Sequence, residues 1–225
     1  MATIVFEEQI EIPMNLHSLV EFRRWAMSDG FPDRGRIDYL AGRIEVDVSP
    51  EDFFCHGTLK GEIYGVLYQQ VKQRQLGYLV TDSTRVSCPL AELSAEPDIV
   101  FVSHDTLSRG RARLVPKATG EPGRYVEIEG APDFVAEIVS DRSVAKDTQQ
   151  LPKAYYRAGV REFWLADARS EPLRFQIYRR GPLEFEKAEA DRDGYQRSSV
   201  FECSFRLDGL RNEQGHWSFD LRARD

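Results

Sequence analysis

The chain has 225 residues, 41% hydrophobic and 30% charged, with 37 Asp and Glu against 30 Lys and Arg and a formal net charge of -7. That length and apolar content suit one sizeable folded domain and exclude a disordered chain; the acidic balance excludes a global basic footprint, so any nucleic-acid surface must be local. Cys55, Cys88 and Cys203 are odd in number, widely spaced and without a CxxC, which argues against a disulfide framework or zinc knuckle and for free thiols.

No stretch approaches the roughly 18 consecutive apolar residues of a membrane span. The start, MATIVFEEQIEIP, carries acids and no basic n-region, so a cytoplasmic protein without membrane contact is expected. Residues 4 to 12 alternate loosely, which predicts an edge strand. Then NLHSLVEFRRWAMSDG predicts a helix with Asn15 as N-cap, Leu16, Leu19, Val20 and Arg23 near one face, and Gly30 with Pro32 as the stop. In RIDYLAGRIEVDVSP two short strands flank Ala41-Gly42 in the manner of a tight hairpin.

From Thr58 to Lys72, Leu59, Ile63, Val66, Leu67 and Val71 follow helical spacing and predict an apolar stripe laid on a sheet. Gly61 and Gly65 each cost such a helix about 1 kcal/mol relative to alanine, which suggests close packing there. GYLVTD and TRVSCPL read as strands, and EPDIVFVS as the next. The run from His104 to Arg124 is the most basic of the chain. It reads either as a solvated insertion or as an arm whose Arg109, Arg111, Arg113 and Lys117 meet phosphates. YVEIEGAPDFVAEIV predicts two strands joined at Gly130-Ala131. After Asp167, LRFQIYRR predicts another strand, and the tail from Glu184, with Phe185, Tyr195, Phe201, Phe205, Trp217 and Phe219, predicts more strands and no site.

The stretch from Pro132 to Asp167 reads as strand, turn, short helix and strand, and its problem residue is Glu137. A carboxylate in the middle of the apolar run FVAEIV lies in a sheet core, where ionising without a partner costs several kcal/mol or more. Pleat alternation puts Asp133, Val135, Glu137 and Val139 on one face and Phe134, Ala136 and Ile138 on the other; Asp98, Val100 and Val102 likewise share a face. If the two strands are neighbours, Asp98 and Glu137 meet. Two close carboxylates raise each other's pKa unless a metal or a basic side chain sits between them, which is the physics of a divalent-cation site.

The combination of GRIEVDVSP, His56 opening a helix, EPDIVFV, PDFVAEIVS, Asp147 and YYRAGVREFWLAD resembles the Uma-type endonuclease family, of the restriction-endonuclease-like PD-(D/E)xK superfamily. The resemblance spans roughly Asp38 to Asp167. It implies an α/β fold, a mixed β-sheet flanked by helices, here with extra strands at both termini. One domain over residues 1–225 is expected, with its core at about 38–180 and a β-rich extension at 181–225. Asp98 and Glu137 correspond to the superfamily's metal-binding acids, and Mg2+ (or Mn2+) is the implied metal.

Two positions depart from the superfamily pattern. The lysine two residues after the acid is replaced by Val139, and the family's alternative on the following helix falls on Leu151. Lys146 and Lys153 are the nearest replacements. Pro152 starts the regular helix near Gln150 or Leu151 and leaves 143–149 as a turn from which Lys146 can swing back, whereas Lys153 is fixed about 200° around the helix from Leu151. Lys146, beside Asp147, is therefore the favoured cation. His56 matches the family's histidine at the rim of the site, with a capping or packing role as the alternative. Glu62 is a candidate outer acid, Asp147 a candidate N-cap or a partner for a lysine, and Tyr155, Phe163 and Trp164 read as core aromatics. The expected function is Mg2+-dependent hydrolysis of phosphodiester bonds in DNA, by a homodimer. The alternative is a catalytically silent nuclease-fold module that binds nucleic acid or a protein partner.

Overall fold

The computed structural model describes residues 11–32 and 35–225. In chain order the elements are α1 (Leu19–Ala26), β1 (Arg36–Leu40), β2 (Arg43–Asp47), a π-helical segment Phe53–Thr58 leading into α2 (Leu59–Arg74), β3 (Gly77–Thr81), β4 (Arg85–Cys88), β5 (Leu93–Ala95), β6 (Ile99–Ser103), α3 (His104–Ser108), β7 (Ala112–Pro116), β8 (Tyr125–Gly130) and β9 (Phe134–Ile138). A second π-helical segment, Lys146–Gln150, leads into α4 (Leu151–Ala158). It is followed by β10 (Glu162–Asp167), β11 (Arg174–Arg180), β12 (Phe185–Lys187), β13 (Gln196–Arg197), β14 (Ser204–Arg211) and β15 (Trp217–Arg224). The strand expected at 4–12 lies outside the described residues but for 11 and 12, which are in no strand.

The strands form two six-stranded sheets, ordered β2-β1-β5-β4-β8-β7 and β12-β11-β10-β9-β6-β3, and a three-stranded sheet β13-β14-β15. Both large sheets are mixed, each with one parallel pair, β4 with β8 and β9 with β10. The chain thus has the α/β class and C-terminal strands that its sequence predicts, with two large sheets in place of one.

The sheets stack because the central strands β6 and β9 of the middle layer are buried and, but for Glu137 and the terminal Ser103, apolar on both sides. On β6 and β9, Val100, Val102 and Val135 join Val86, Leu93 and Ile128 of the first sheet and Leu151, Ala154 and Tyr155 of α4 in one buried cluster. On the other side, Phe101, Phe134, Ala136 and Ile138 meet Leu59, Ile63, Leu67 and Val71 of α2 and Phe205, Trp217 and Leu221 of the small sheet. The apolar stripe of α2 is therefore as predicted. Gly61 and Gly65 are not explained by close packing, since an added Cβ at either would meet nothing within 4 Å.

The first sheet carries α1 on its outer side, where Phe22, Leu19 and Trp25 pack on Ile37 and Tyr39. The buried face is thus Leu19, Phe22 and Trp25, while Val20 is exposed. Its N-cap is Ser18, not Asn15. Ser18 Oγ accepts the Glu21 N–H at 3.3 Å and donates to Glu21 Oε2 at 2.9 Å, so that two short side chains satisfy the open helix end. The β1–β2 hairpin is closed at Ala41 (φ 47°) and Gly42 (φ 83°), both left-handed as a two-residue turn requires. Residues 143–149 are not a free turn: the chain is helical from Val144 and continues through the π-helical segment into α4.

Candidate active site at the seam between the sheets

The antiparallel pairing of β6 with β9 sets Ile99 opposite Ala136, so Asp98 lies beside Glu137 where the two large sheets face each other. The neighbourhood expected of these strands is present. Both side chains are buried, at 0% and 1% exposure. Asp98 Oδ2 accepts the Ile138 N–H at 2.7 Å and lies 3.5 Å from His56 Nε2, while Oδ1 accepts from Arg36 Nη2 at 2.6 Å. Burial pushes the Asp98 carboxyl up, but the Arg36 guanidinium and the His56 imidazole outweigh it and hold Asp98 well below the usual carboxylate range.

Glu137 stands in the opposite condition. Its Oε1 accepts a hydrogen bond from Tyr155 Oη at 2.5 Å, and its Oε2 is buried with no donor among the described residues. Burial, then Asp98, then Asp147 push the Glu137 carboxyl well above its ordinary value. Tyr155 reads from sequence as a core aromatic; it is fully buried, and it is also the group that orients Glu137.

Behind the pair, Asp38 of β1 faces into the same seam. It accepts the Glu96 N–H at 3.0 Å and a hydrogen bond from Lys146 Nζ at 3.1 Å. Lys146 is thus drawn into the cluster, but its direct partner is Asp38 and not the neighbouring Asp147. Its ammonium is kept charged by Asp38 and Glu137 against the opposing effect of burial. Asp147 caps no helix. It sits inside the π-helical segment, accepts from Ser143 Oγ, leaves Oδ1 without a donor, and is pushed by burial up to about 7.

Leu151 is 1% exposed and packed between the sheets, so its position contributes no charge. Lys153 is exposed on the far side of the helix.

At the rim, the π-helical segment before α2 buries His56 with Nδ1 3.2 Å from Glu51 Oε2 and Nε2 toward Asp98. Burial lowers its pKa, but Asp98 and Glu51 raise it to about 9, so the ring is an imidazolium at neutral pH. Lys60 joins Glu51 at 3.0 Å to Asp82 at 2.9 Å. Glu51, His56 and Asp98 offer ligand atoms within 4.8 Å of one another. The imidazole, however, turns its two nitrogens to two different acids, which describes a charged bridge better than a shared metal ligand. Glu62 takes no part: it faces the small sheet and accepts the Leu221 N–H at 2.9 Å.

The basic run is spread along α3, β7 and the turn after it, and its guanidinium groups are matched by carboxylates. Arg109 and Arg111 reach Asp105, Arg111 also Asp133, Arg113 reaches Glu129, and Arg124 reaches Glu121. Lys117 is half-buried beyond them. This pairing fits the reading of an ordinary surface insertion better than that of an arm held ready for phosphates. All three cysteines are free.

Two mixed sheets with a buried acid pair at their seam define a restriction-endonuclease-like nuclease fold. A structure that shares it is that of a "putative nuclease belonging to DUF820" from Anabaena variabilis ATCC 29413, with TM-score 0.57 and 20% identity over 82% of this chain and 90% of that one. The model of the Uma2 family, described as "Putative restriction endonuclease", matches residues 19–208, and the chain belongs to that family. No curated protein matches the chain. Among the described residues no helix is long and apolar enough to cross a membrane.

Four residues of the cluster escaped the sequence reading: Arg36, Asp38, Glu51 and Lys60. Arg36 and Asp38 carried a usable signal, because they alternate with Ile37 and Tyr39 in a short strand whose other face is apolar, the same pattern that singled out Glu137. Glu51 and Lys60 carried none.

Proposed function

We propose that this chain is a metal-dependent endonuclease that hydrolyses phosphodiester bonds in DNA, with Asp98 and Glu137 holding Mg2+ or Mn2+. The observation that carries the reading is the buried Glu137 Oε2, left without a donor beside Asp98 on the adjacent strand. An acid in that condition lacks a positive partner, and an all-carboxylate pair suits a hard divalent cation. When bound, the cation would supply a water of lowered pKa and polarise a phosphate oxygen.

The chain's own groups do the rest. Tyr155 fixes the orientation of Glu137, and Asp38 holds Lys146 so that its charge acts on the seam without touching the acid pair. His56, buried between Glu51 and Asp98, adds positive charge beside the acid pair and holds Asp98 in place. Cutting both strands of a duplex with one such site per chain calls for two copies, and in that sense a homodimer in the cytoplasm belongs to the proposal.

One observation favours a second reading, a catalytically silent nuclease-fold module. Leu151 is packed in the core and Arg36 already neutralises Asp98. Calorimetric titration with Mn2+, paired with cleavage of plasmid DNA, separates the two. Metal binding lost in Asp98→Ala and Glu137→Ala together with wild-type cleavage supports the endonuclease. Metal binding without cleavage under any divalent ion supports the silent module, and no binding by wild type overturns the metal reading.

A further inference from the structure

Asp98 is the better-satisfied acid of the pair, and the way it is satisfied constrains how a cation can reach it. Its Oδ2 is tied to the neighbouring strand through the Ile138 N–H at 2.7 Å, a bond whose release would leave a buried backbone donor without a partner. Among the described residues its Oδ1 is held only by Arg36 Nη2, at 2.6 Å. Oδ1 is therefore the oxygen that can be freed, and a guanidinium stands on it. A divalent ion and a guanidinium on one carboxylate oxygen repel strongly in a buried seam, where charges are poorly screened.

Arg36 is also built to leave. It is the first residue of β1, its side chain is 20% exposed where that of Asp98 is fully buried, and its Nη2 is already 3.9 Å from Asp82 Oδ1 at the rim. Across the hairpin its register partner is Asp47, which offers a second carboxylate outside the seam. Lys146 sits deeper, its side chain 8% exposed and paired with the buried Asp38. Of the two cations that reach in from β1 and from the segment before α4, Lys146 is the deeper and Arg36 the one with a second carboxylate within reach.

We propose that Arg36 is an exchangeable cation: it holds Asp98 Oδ1 in the metal-free protein and moves out toward Asp82 and Asp47 when a divalent ion binds Asp98 and Glu137. This rests on the metal-binding reading of the pair and assigns Arg36 a positioning role within it. The arginine keeps the acid seam intact while no metal is present, and it sets the affinity of the site by competing for the same oxygen.

The test is calorimetric titration with Mn2+ alone of wild type, Arg36→Met, Arg36→Lys and Asp98→Asn, with thermal unfolding of each in EDTA. The exchange predicts Mn2+ affinity in the order Arg36→Met, Arg36→Lys, wild type, with at least a tenfold gain for Arg36→Met. Lysine falls between because its ammonium keeps the charge but lacks the planar fork that matches a carboxylate. In EDTA, Arg36→Met should unfold at lower temperature than wild type and recover on adding Mn2+ by more than wild type gains. Should Arg36→Met fail to fold, the ordering of Arg36→Lys against wild type decides alone. Equal or weaker Mn2+ binding in the folded Arg36 variants, with binding still lost in Asp98→Asn, overturns the exchange and leaves the metal site standing. Wild type and Arg36 variants all binding no better than Asp98→Asn overturns both.

Discussion

Two glutamates lie on adjacent parallel strands, Glu137 on β9 and Glu162 on β10, both buried to 1% exposure or less, and their surroundings differ in every other respect. Glu162 accepts from Trp164 Nε1 at 2.8 Å, Ser198 Oγ at 2.6 Å, Ser199 N–H at 2.7 Å, Ser199 Oγ at 2.9 Å and Val200 N–H at 3.3 Å. It is a stitch that ties the chain leading into β14 to the middle sheet. Glu137 has one donor, Tyr155, and an orphaned oxygen. Burial alone therefore does not single out Glu137; its unfilled lone pair does.

Changing each glutamate in turn sharpens the contrast. Glu162→Ala strands the buried Trp164 indole and the Ser198 hydroxyl and frees two part-buried backbone N–H groups, and it should cost about 3 kcal/mol in urea denaturation. A loss under about 1 kcal/mol would remove the structural role from Glu162. Next in size is Lys146→Met, which leaves the buried Asp38 with only the Glu96 N–H. It should cost about 2 to 3 kcal/mol, against about 0.5 kcal/mol or less for Lys153→Met on the exposed helix face. Equal losses for the two lysines would contradict the Lys146–Asp38 pair.

Glu137→Gln should leave stability in EDTA unchanged or raise it by about 1 kcal/mol, because it removes a carboxylate that burial and Asp98 disfavour. It should also abolish the stabilisation that Mn2+ gives wild type, as read by thermal shift. A further effect is one of slope. Asp147 is raised from 3.8 to about 7, so between those values the folded chain holds a proton that the unfolded chain has lost, and stability falls as pH rises through the window. Asp147→Asn cannot titrate. Its unfolding free energy in EDTA should decline less steeply over the same window, and parallel slopes would place the proton elsewhere.

The sequence disclosed the site wherever a charge interrupted an apolar strand, since a pleated strand leaves little choice of face. Glu137, Asp98 and their adjacency were legible on those grounds, as were the two-residue hairpin and the stripe of α2. What depends on how separate layers meet was not legible. Tyr155 reaches Glu137 only because α4 packs between the sheets, and Glu62 points to β15 because the C-terminal strands cover that side of α2. Lys146 was found for a partly mistaken reason. The segment was expected to be a turn, whereas it is a wide helix that aims the lysine at Asp38.

Both segments that deliver side chains to the seam from outside the sheets, Phe53–Thr58 with His56 and Lys146–Gln150 with Asp147, are π-helical. A π turn holds one more residue than an α turn. Removing a single residue from either segment would let it relax to ordinary helix and change the angular spacing of the side chains within that turn. His56 or Lys146 would then no longer be aimed at its present partners although neither had been substituted. The two segments are therefore places where chain length, more than residue identity, is under constraint: a one-residue deletion there should be far more damaging than most point substitutions.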